Sequence, residues 1–209
     1  MLALTTDDDA AIEDFLSRKR QWVFDAVREM ERLTADRHNV PRFITGSKIP
    51  YRGRKMPLTV RRTDAERMEI SYRHGFIVEL PTWADRDADG LVANELKLWL
   101  KQRARRDVGD ISRVFRGRSG LAPSSVRVAD FVHGWGSCGK EGNILINWHL
   151  IFAPRKVLEY VVAHEFTHLR HRSHGSEFWS ALATLMPDYA SAKTWLDVHQ
   201  NGLSADFLG

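Results

Sequence analysis

The pentapeptide His164-Glu165-Phe166-Thr167-His168 combines the residue types and the spacing that a metal-assisted reaction needs. In a helix, residues four apart lie on one face, so the imidazoles of His164 and His168 could share one metal ion. Glu165 would lie at the edge of that face, where a carboxylate can reach water held at the metal. Two such histidines and a glutamate are the pattern of a zinc peptidase that keeps one coordination position open.

The residues before the pentapeptide predict that it lies on a buried helix. Pro154 suits the first turn of a helix, and the run Val157 to Ala163 is nearly all apolar. Ionisable side chains in a core helix cost free energy unless they have partners. This context favours functional histidines over the alternative, an exposed charged helix end on which the motif arises by chance.

A catalytic zinc usually has three protein ligands and a water, and two histidines follow the motif as candidates for the third. On a continuing helix His171 would lie about 10 Å along the axis from His164, too far to share the ion. His174 precedes Gly175, which looks like a helix stop, and a turn there can bring His174 back over the metal. We predict His174 as the third ligand and His171 as a supporting or surface residue. The alternative for either is a solvated histidine in a basic stretch.

Composition limits where the protein works. The chain has 209 residues and a single cysteine, Cys138, which excludes an internal disulfide framework. Its first residues lack the basic and apolar regions of a secretory signal, and no stretch is apolar enough to span a membrane. We therefore predict a cytoplasmic protein with no membrane partner.

Basic residues gather in four clusters, and a net charge of +4 accompanies a pI of about 9.4. The clusters are 18–20, 52–55, 103–106 and 116–118. One interpretation is weak association with nucleic acid or an acidic substrate. Because 27 acidic residues nearly match 31 basic ones, ordinary solvated surface charge is favoured.

The periodicity of apolar residues predicts an α+β fold. Predicted helices cover 7–34, 85–106, 108–117, the motif, 176–186 and 188–199, and predicted strands cover 58–62, 68–73, 76–80, 125–132 and 143–150. A tight turn is predicted at 73–75 and a glycine-rich turn at 134–142. Residues 143–148 are our candidate for an edge strand that an extended substrate could join. The alternative is an interior strand.

Several blocks of the sequence, from about Tyr51 onward, resemble the YgjP-like family of predicted metal-dependent hydrolases. The blocks are Gly134-Trp135-Gly136-Ser137-Cys138, residues 142–150, residues 160–169, residues 174–179 and Met186-Pro187-Asp188-Tyr189. Two positions depart from the pattern of many members, which have a basic residue in place of Gly134 and an arginine in place of His149.

The resemblance implies a zincin-type metallopeptidase domain related to the SprT-like and Wss-like minigluzincins. It implies a small mixed or antiparallel sheet, an active-site helix with the HExxH motif and an N-terminal helix. Residues 1–50 would form the N-terminal helix and connector packed on the main domain, and residues 51–209 the metallopeptidase domain. Zinc would be held by His164, His168 and His174, with Glu165 as the catalytic base.

The expected function is a zinc-dependent endopeptidase acting on a protein or peptide. One alternative is a protease that acts on DNA-bound proteins, suggested by analogy with the SprT-like relatives. Another is a zinc-stabilised interaction module without activity, which a fourth ligand such as Cys138 would indicate.

Further side chains have weaker assignments. Cys138 with His133 could be a nucleophilic pair, although a buried structural cysteine is favoured. Asp188 or Glu177 could orient a ligand histidine. Tyr189 could donate a hydrogen bond to a developing oxyanion.

Overall fold

The structure, a computed structural model, describes Lys19, residues 42–131 and residues 134–208, except for the side chains of Asp85 and Arg86. The predicted helix over 7–34, apart from Lys19, and the predicted partner His133 lie outside the described residues. The chain divides into two units, Met1–Arg42 and Phe43–Gly209, and every element below belongs to the second. The division predicted after residue 50 stays a prediction.

The first sheet has four strands in the order β1-β2-β4-β3. These strands are β1 (Lys48–Tyr51), β2 (Arg54–Thr63), β3 (Glu69–Tyr72) and β4 (Phe76–Pro81). β2 and β4 are parallel, whereas β1 with β2 and β3 with β4 are antiparallel. The predicted turn at 73–75 joins β3 to β4, with the Arg73 amide donating to the Gly75 carbonyl at 3.1 Å.

One long helix, α1 (Ala88–Ser119), replaces the two helices predicted over 85–106 and 108–117. The predicted break at residue 107 is wrong because Asp107 is buried and paired with arginines, so it does not end the helix. α1 ends at Gly120, whose φ of 67° is the left-handed conformation that glycine adopts without strain.

The second sheet has three strands in the order β5-β7-β6: β5 (Ser125–Ala129), β6 (Gly136–Cys138) and β7 (Asn143–Asn147). The prediction that 143–148 forms an edge strand is wrong, because β7 pairs with both neighbours. The edge strands are β5 and β6, and β6 lies in the segment predicted as a glycine-rich turn. The strand predicted over 143–150 ends at Asn147, whose side chain accepts from the His149 amide and begins the 3-10 helix Trp148–Ile151.

Three helices follow: α2 (Arg155–Thr167), α3 (Ser176–Leu185) and α4 (Tyr189–His199). α2 is a core element, because its residues from Val157 to Ala163 are buried, apart from Glu159. The mixed α+β class is confirmed, with two small mixed sheets. None of the helices in the described part of the chain combines the length and apolar character needed to cross a bilayer.

Candidate metal centre

His164 and Glu165 lie in the last turn of α2, and His168 is its C-terminal cap. The His168 amide still donates to the His164 carbonyl at 3.2 Å, so helical spacing extends through the cap. The Nε2 atoms of the two imidazoles consequently converge to 3.1 Å, with the ring planes at 78° to each other. Residues 164 and 168 thus lie on one face at the end of α2.

The segment between α2 and α3 places His174 next to His164 and His168. Its Nε2 lies 3.0 Å from the Nε2 of His164. The indole of Trp179, in the first turns of α3, donates to the His174 carbonyl at 3.0 Å and holds the backbone of this segment. The ligand atoms of His164, His168 and His174 all lie within 4.8 Å of one another.

His171 takes part through its backbone and not through its ring. Its carbonyl lies 2.9 Å from the Nδ1 of His168. Since a carbonyl only accepts, the proton of His168 is on Nδ1, and Nε2 presents its lone pair to the centre of the cluster. The ring of His171 lies 3.6 Å from the Glu177 carboxylate. Glu177, an expected partner of a ligand histidine, thus contacts His171.

The three histidines fit a zinc ion by their chemistry. Nitrogen ligands of a tetrahedral zinc lie about 3.3 Å apart, close to the two separations of 3.0 and 3.1 Å in this cluster. Burial and the neighbouring His168 and His174 lower the pKa of His164 to about 4, and burial lowers the pKa of His168. Neutral imidazoles are the form that binds metal. Among the described residues, Cys138 is not part of this group.

Glu165 is buried next to the histidines, with only 5% of its surface exposed. Burial raises the pKa of its carboxyl to about 7, the range in which a carboxylate exchanges protons near neutral pH. Its carboxylate lies directly over Gly136 of β6. A Cβ added at Gly136 would come within 2.7 Å of Glu165 Oε1, so glycine is required for this close approach.

The free edge of β6 faces the same cavity. The Trp135 carbonyl and the Gly139 amide bond to β7, at 2.9 and 2.8 Å. By the alternation of an antiparallel pair, the amide and carbonyl groups of Gly136 and Cys138 point away from β7. The cavity measures about 360 Å³ and is lined by Gly136, Ser137, Cys138, His164, Glu165, His168, Arg172 and His174.

The model of the YgjP-like family, metallopeptidase domain, matches residues 4–199 of the chain. The chain belongs to the YgjP-like family. It is therefore a member of a metallopeptidase family, which implies a metal-dependent hydrolase and a divalent metal, typically zinc.

Among solved structures, one match is the crystal structure of the metallopeptidase zymogen of Pyrococcus abyssi abylysin. The identity is 19%, the TM-score is 0.40, and the match covers 44% of this chain and 95% of that chain. No curated protein matches the sequence.

The two positions that differ from many YgjP-like members have local explanations. Gly134 has a φ of 87°, which strongly favours glycine, and its carbonyl accepts from the Asn147 side chain at 3.1 Å. His149 lies in the 3-10 helix after β7 with its ring 4.6 Å from that of Trp148, and burial lowers its pKa. Both residues bond to Asn147 at the C-terminal end of β7 and do not belong to the histidine cluster.

Arg172 lines the cavity and was not singled out by its sequence. Its guanidinium donates to the carbonyls of Cys138, Gly139 and Lys140 at 3.0, 3.1 and 3.3 Å. Arg172 thereby joins the segment that carries His174 to the end of β6. In the sequence it is one of two arginines flanking His171, and nothing in that basic stretch distinguishes it.

The structure gives other contacts to three further side chains that the sequence singled out. The Cys138 thiol lies 3.6 Å from the Arg172 guanidinium, and burial raises its pKa. Asp188 forms an ion pair with Lys156, so this carboxylate does not contact the ligand histidines. The ring of Tyr189 stacks on that of Trp179 at 5.8 Å.

Proposed function

We propose that the protein is a zinc-dependent endopeptidase in which His164, His168 and His174 hold the metal and Glu165 is the general base. The observation that supports this most is the convergence of three imidazole nitrogens beside a buried carboxylate. Three protein ligands leave a coordination position for water, which is the arrangement of a catalytic zinc. Zinc held by these three histidines would supply Lewis-acid chemistry, which lowers the pKa of bound water and polarises a substrate carbonyl.

Glu165 moves the protons. Its carboxylate takes a proton from the attacking water and passes it to the nitrogen of the leaving amine. The raised pKa supports both transfers, because a group that titrates near neutral pH accepts and releases a proton with little cost. The absence of a side chain at Gly136 leaves the space that the carboxylate occupies.

β6 is the proposed binding edge for the substrate backbone. An extended peptide can add to it through the outward-facing groups of Gly136 and the outward amide of Cys138. The Cys138 carbonyl already accepts from Arg172, so Arg172 limits how far a peptide pairs along the strand. The proposed substrate is therefore an unfolded or extended segment of a protein.

A second cavity next to Glu165 could take one substrate side chain. It measures about 260 Å³ and shares Gly136, His164 and Glu165 with the histidine cavity. Its remaining walls come from Trp135, Tyr160, Val161, Leu196, Asp197 and Gln200. This mixture of aromatic, aliphatic and carboxylate surface favours a large side chain with a polar end.

The test is hydrolysis of an unstructured protein such as casein by zinc-loaded wild type and by Glu165→Gln. This substitution keeps the shape of the side chain but removes its ability to accept a proton. We expect hydrolysis to fall at least ~100-fold while zinc binding stays, since general-base catalysis contributes typically 10²–10⁴-fold.

Zinc content and circular dichroism of both proteins serve as the control for folding and loading. Full activity of a zinc-loaded Glu165→Gln protein would contradict the role of Glu165. A wild type that binds zinc and leaves casein intact would contradict the endopeptidase assignment.

A further inference from the structure

The C-terminal half of α1 carries a row of exposed arginines. Arg105, Arg106, Arg113 and Arg116 are all exposed. At about 100° per residue, their positions fall within an arc of roughly 100° on one side of the helix. Buried residues such as Ala104, Val108, Ile111 and Phe115 occupy the other side. The four arginines, here called the α1 arginine row, thus form one solvent-facing stripe.

Little negative charge opposes the α1 arginine row. Asp110 lies at its margin and forms an exposed ion pair with Arg113 at 3.2 Å. In the part of the chain that the structure describes, the guanidinium groups of Arg105, Arg106 and Arg116 have no carboxylate within ion-pair distance. Among the described residues, three positive charges on this stretch of the helix therefore have no paired carboxylate.

The length and composition of the row suit a phosphate backbone. From Arg105 to Arg116 the helix rises about 16 Å, which corresponds to roughly five base-pair steps of duplex DNA. Gly109 lies between the arginines and has open space above it, so a backbone can approach the helix closely. The guanidinium group binds phosphate in a bidentate manner.

A protein partner fits this surface less well. Protein interfaces usually centre on apolar or aromatic side chains, and along the described helix the arc between Arg105 and Arg116 presents none. Aromatic residues that would stack on bases are likewise missing from this arc, so contact would be with phosphates and independent of sequence.

We propose that the α1 arginine row is a docking surface for duplex nucleic acid, bound through its phosphates without sequence preference. The inference does not depend on peptidase activity, because the arginines lie on α1 and none of them lines the histidine cavity. Binding at this surface would hold the metal centre near proteins that occupy the same duplex.

The test measures binding of the full chain to a fluorescein-labelled DNA duplex of mixed sequence, by fluorescence anisotropy over a range of salt concentrations. Arg105→Gln/Arg116→Gln is compared with wild type. We expect the slope of log K against log salt to fall in magnitude by about 1.8, since each lost phosphate contact accounts for about 0.9.

The matched control is Arg54→Gln/Lys55→Gln, which removes the same charge from exposed positions on β2. We expect it to keep the wild-type slope. Equal losses in both double variants, or no duplex binding by wild type at low salt, would overturn the proposal. Labelled polyglutamate that binds through the row more tightly than the duplex would also overturn it and indicate an acidic protein partner.

Discussion

Glu165 and Gly136 form a contact that depends on both residue types. The carboxylate is buried and lies against the backbone of β6, where any side chain would collide with it. The position of the proposed base is therefore set by an edge strand far from it in sequence.

We predict that Gly136→Ala lowers hydrolysis while zinc content stays unchanged. The added Cβ would come within 2.7 Å of Glu165 Oε1 and displace the carboxylate. A misplacement of about 1 Å at a reacting group can reduce the rate about 100-fold. The measurement is hydrolysis of casein at matched zinc loading.

Gly117→Ala is the control for this prediction, because a Cβ at Gly117 meets open space. We expect it to keep full activity. If Gly136→Ala hydrolyses casein as fast as Gly117→Ala, Gly136 does not position the base.

The sequence singled out the three candidate ligand histidines that the structure brings together, and it missed two residues that surround them. His164 and His168 follow from helical spacing, and His174 from the reach of a chain that turns after the helix. Gly136 and Arg172 were missed because their roles depend on contacts across the cavity. A glycine-rich segment is typical of a turn, and here three of its residues form a strand.

At the scale of elements, Arg172 links two parts of the chain: it lies in the segment before His174, and it donates hydrogen bonds to the end of β6. Its three hydrogen bonds to backbone carbonyls span the space between the two. A ligand on an irregular segment keeps its place only when the segment is held, and Trp179 supplies a further hydrogen bond at His174 itself.

We predict that Arg172→Gln releases zinc about 10-fold faster than wild type, since supporting contacts around a metal typically change affinity by 10–100-fold. The measurement is the rate of zinc transfer to a chromogenic chelator. Arg170→Gln, an exposed neighbour in the same segment, is the control and should release zinc at the wild-type rate. Equal rates for the two variants would refute the role of Arg172.

Asp107 forms ion pairs with residues of three elements near the N-terminal end of α2. Its carboxylate pairs with Arg52 from the turn between β1 and β2 at 2.5 Å. It also contacts Arg103 of α1 and Arg155, the first residue of α2, each at 3.6 Å. The Asp107 side chain is only 4% exposed, so its loss would leave these arginines without their central partner.

We predict that Asp107→Asn lowers the free energy of unfolding by about 3 kcal/mol. Removing one partner of a buried ion pair costs about 3–5 kcal/mol, and the partial exposure of the arginines places this case at the lower end. Urea unfolding is the measurement. The control, Asp110→Asn, breaks the exposed pair with Arg113 and should cost about 0.5 kcal/mol or less.

The elements that the sequence predicted incorrectly share one physical cause. Residue 107 falls between two helices predicted from the sequence, yet Asp107 is buried against arginine partners and α1 continues through it. The apolar run of β7 is equally compatible with an edge and a central strand, and only its pairing with both β5 and β6 decides. Local sequence lacks this information because the deciding contacts are distant in the chain.

At the scale of the whole molecule, the proposed active site is assembled from three segments. β6 supplies the edge and Gly136, the end of α2 supplies His164, Glu165 and His168, and the segment before α3 supplies His174. The α+β class and the order of most elements could be predicted from apolar periodicity. The arrangement of the three segments could not be predicted from the sequence, because it depends on the packing of the second sheet against α2.

The most direct test of the account is the zinc content and coordination of the protein purified without added metal. Wild type, His174→Ala and His171→Ala are compared by elemental analysis and X-ray absorption spectroscopy. We predict about one zinc per chain in wild type and in His171→Ala, with three nitrogen ligands and one oxygen, and its loss in His174→Ala. Zinc that survives His174→Ala, or a fourth protein ligand such as the Cys138 sulfur, would contradict the open three-histidine site.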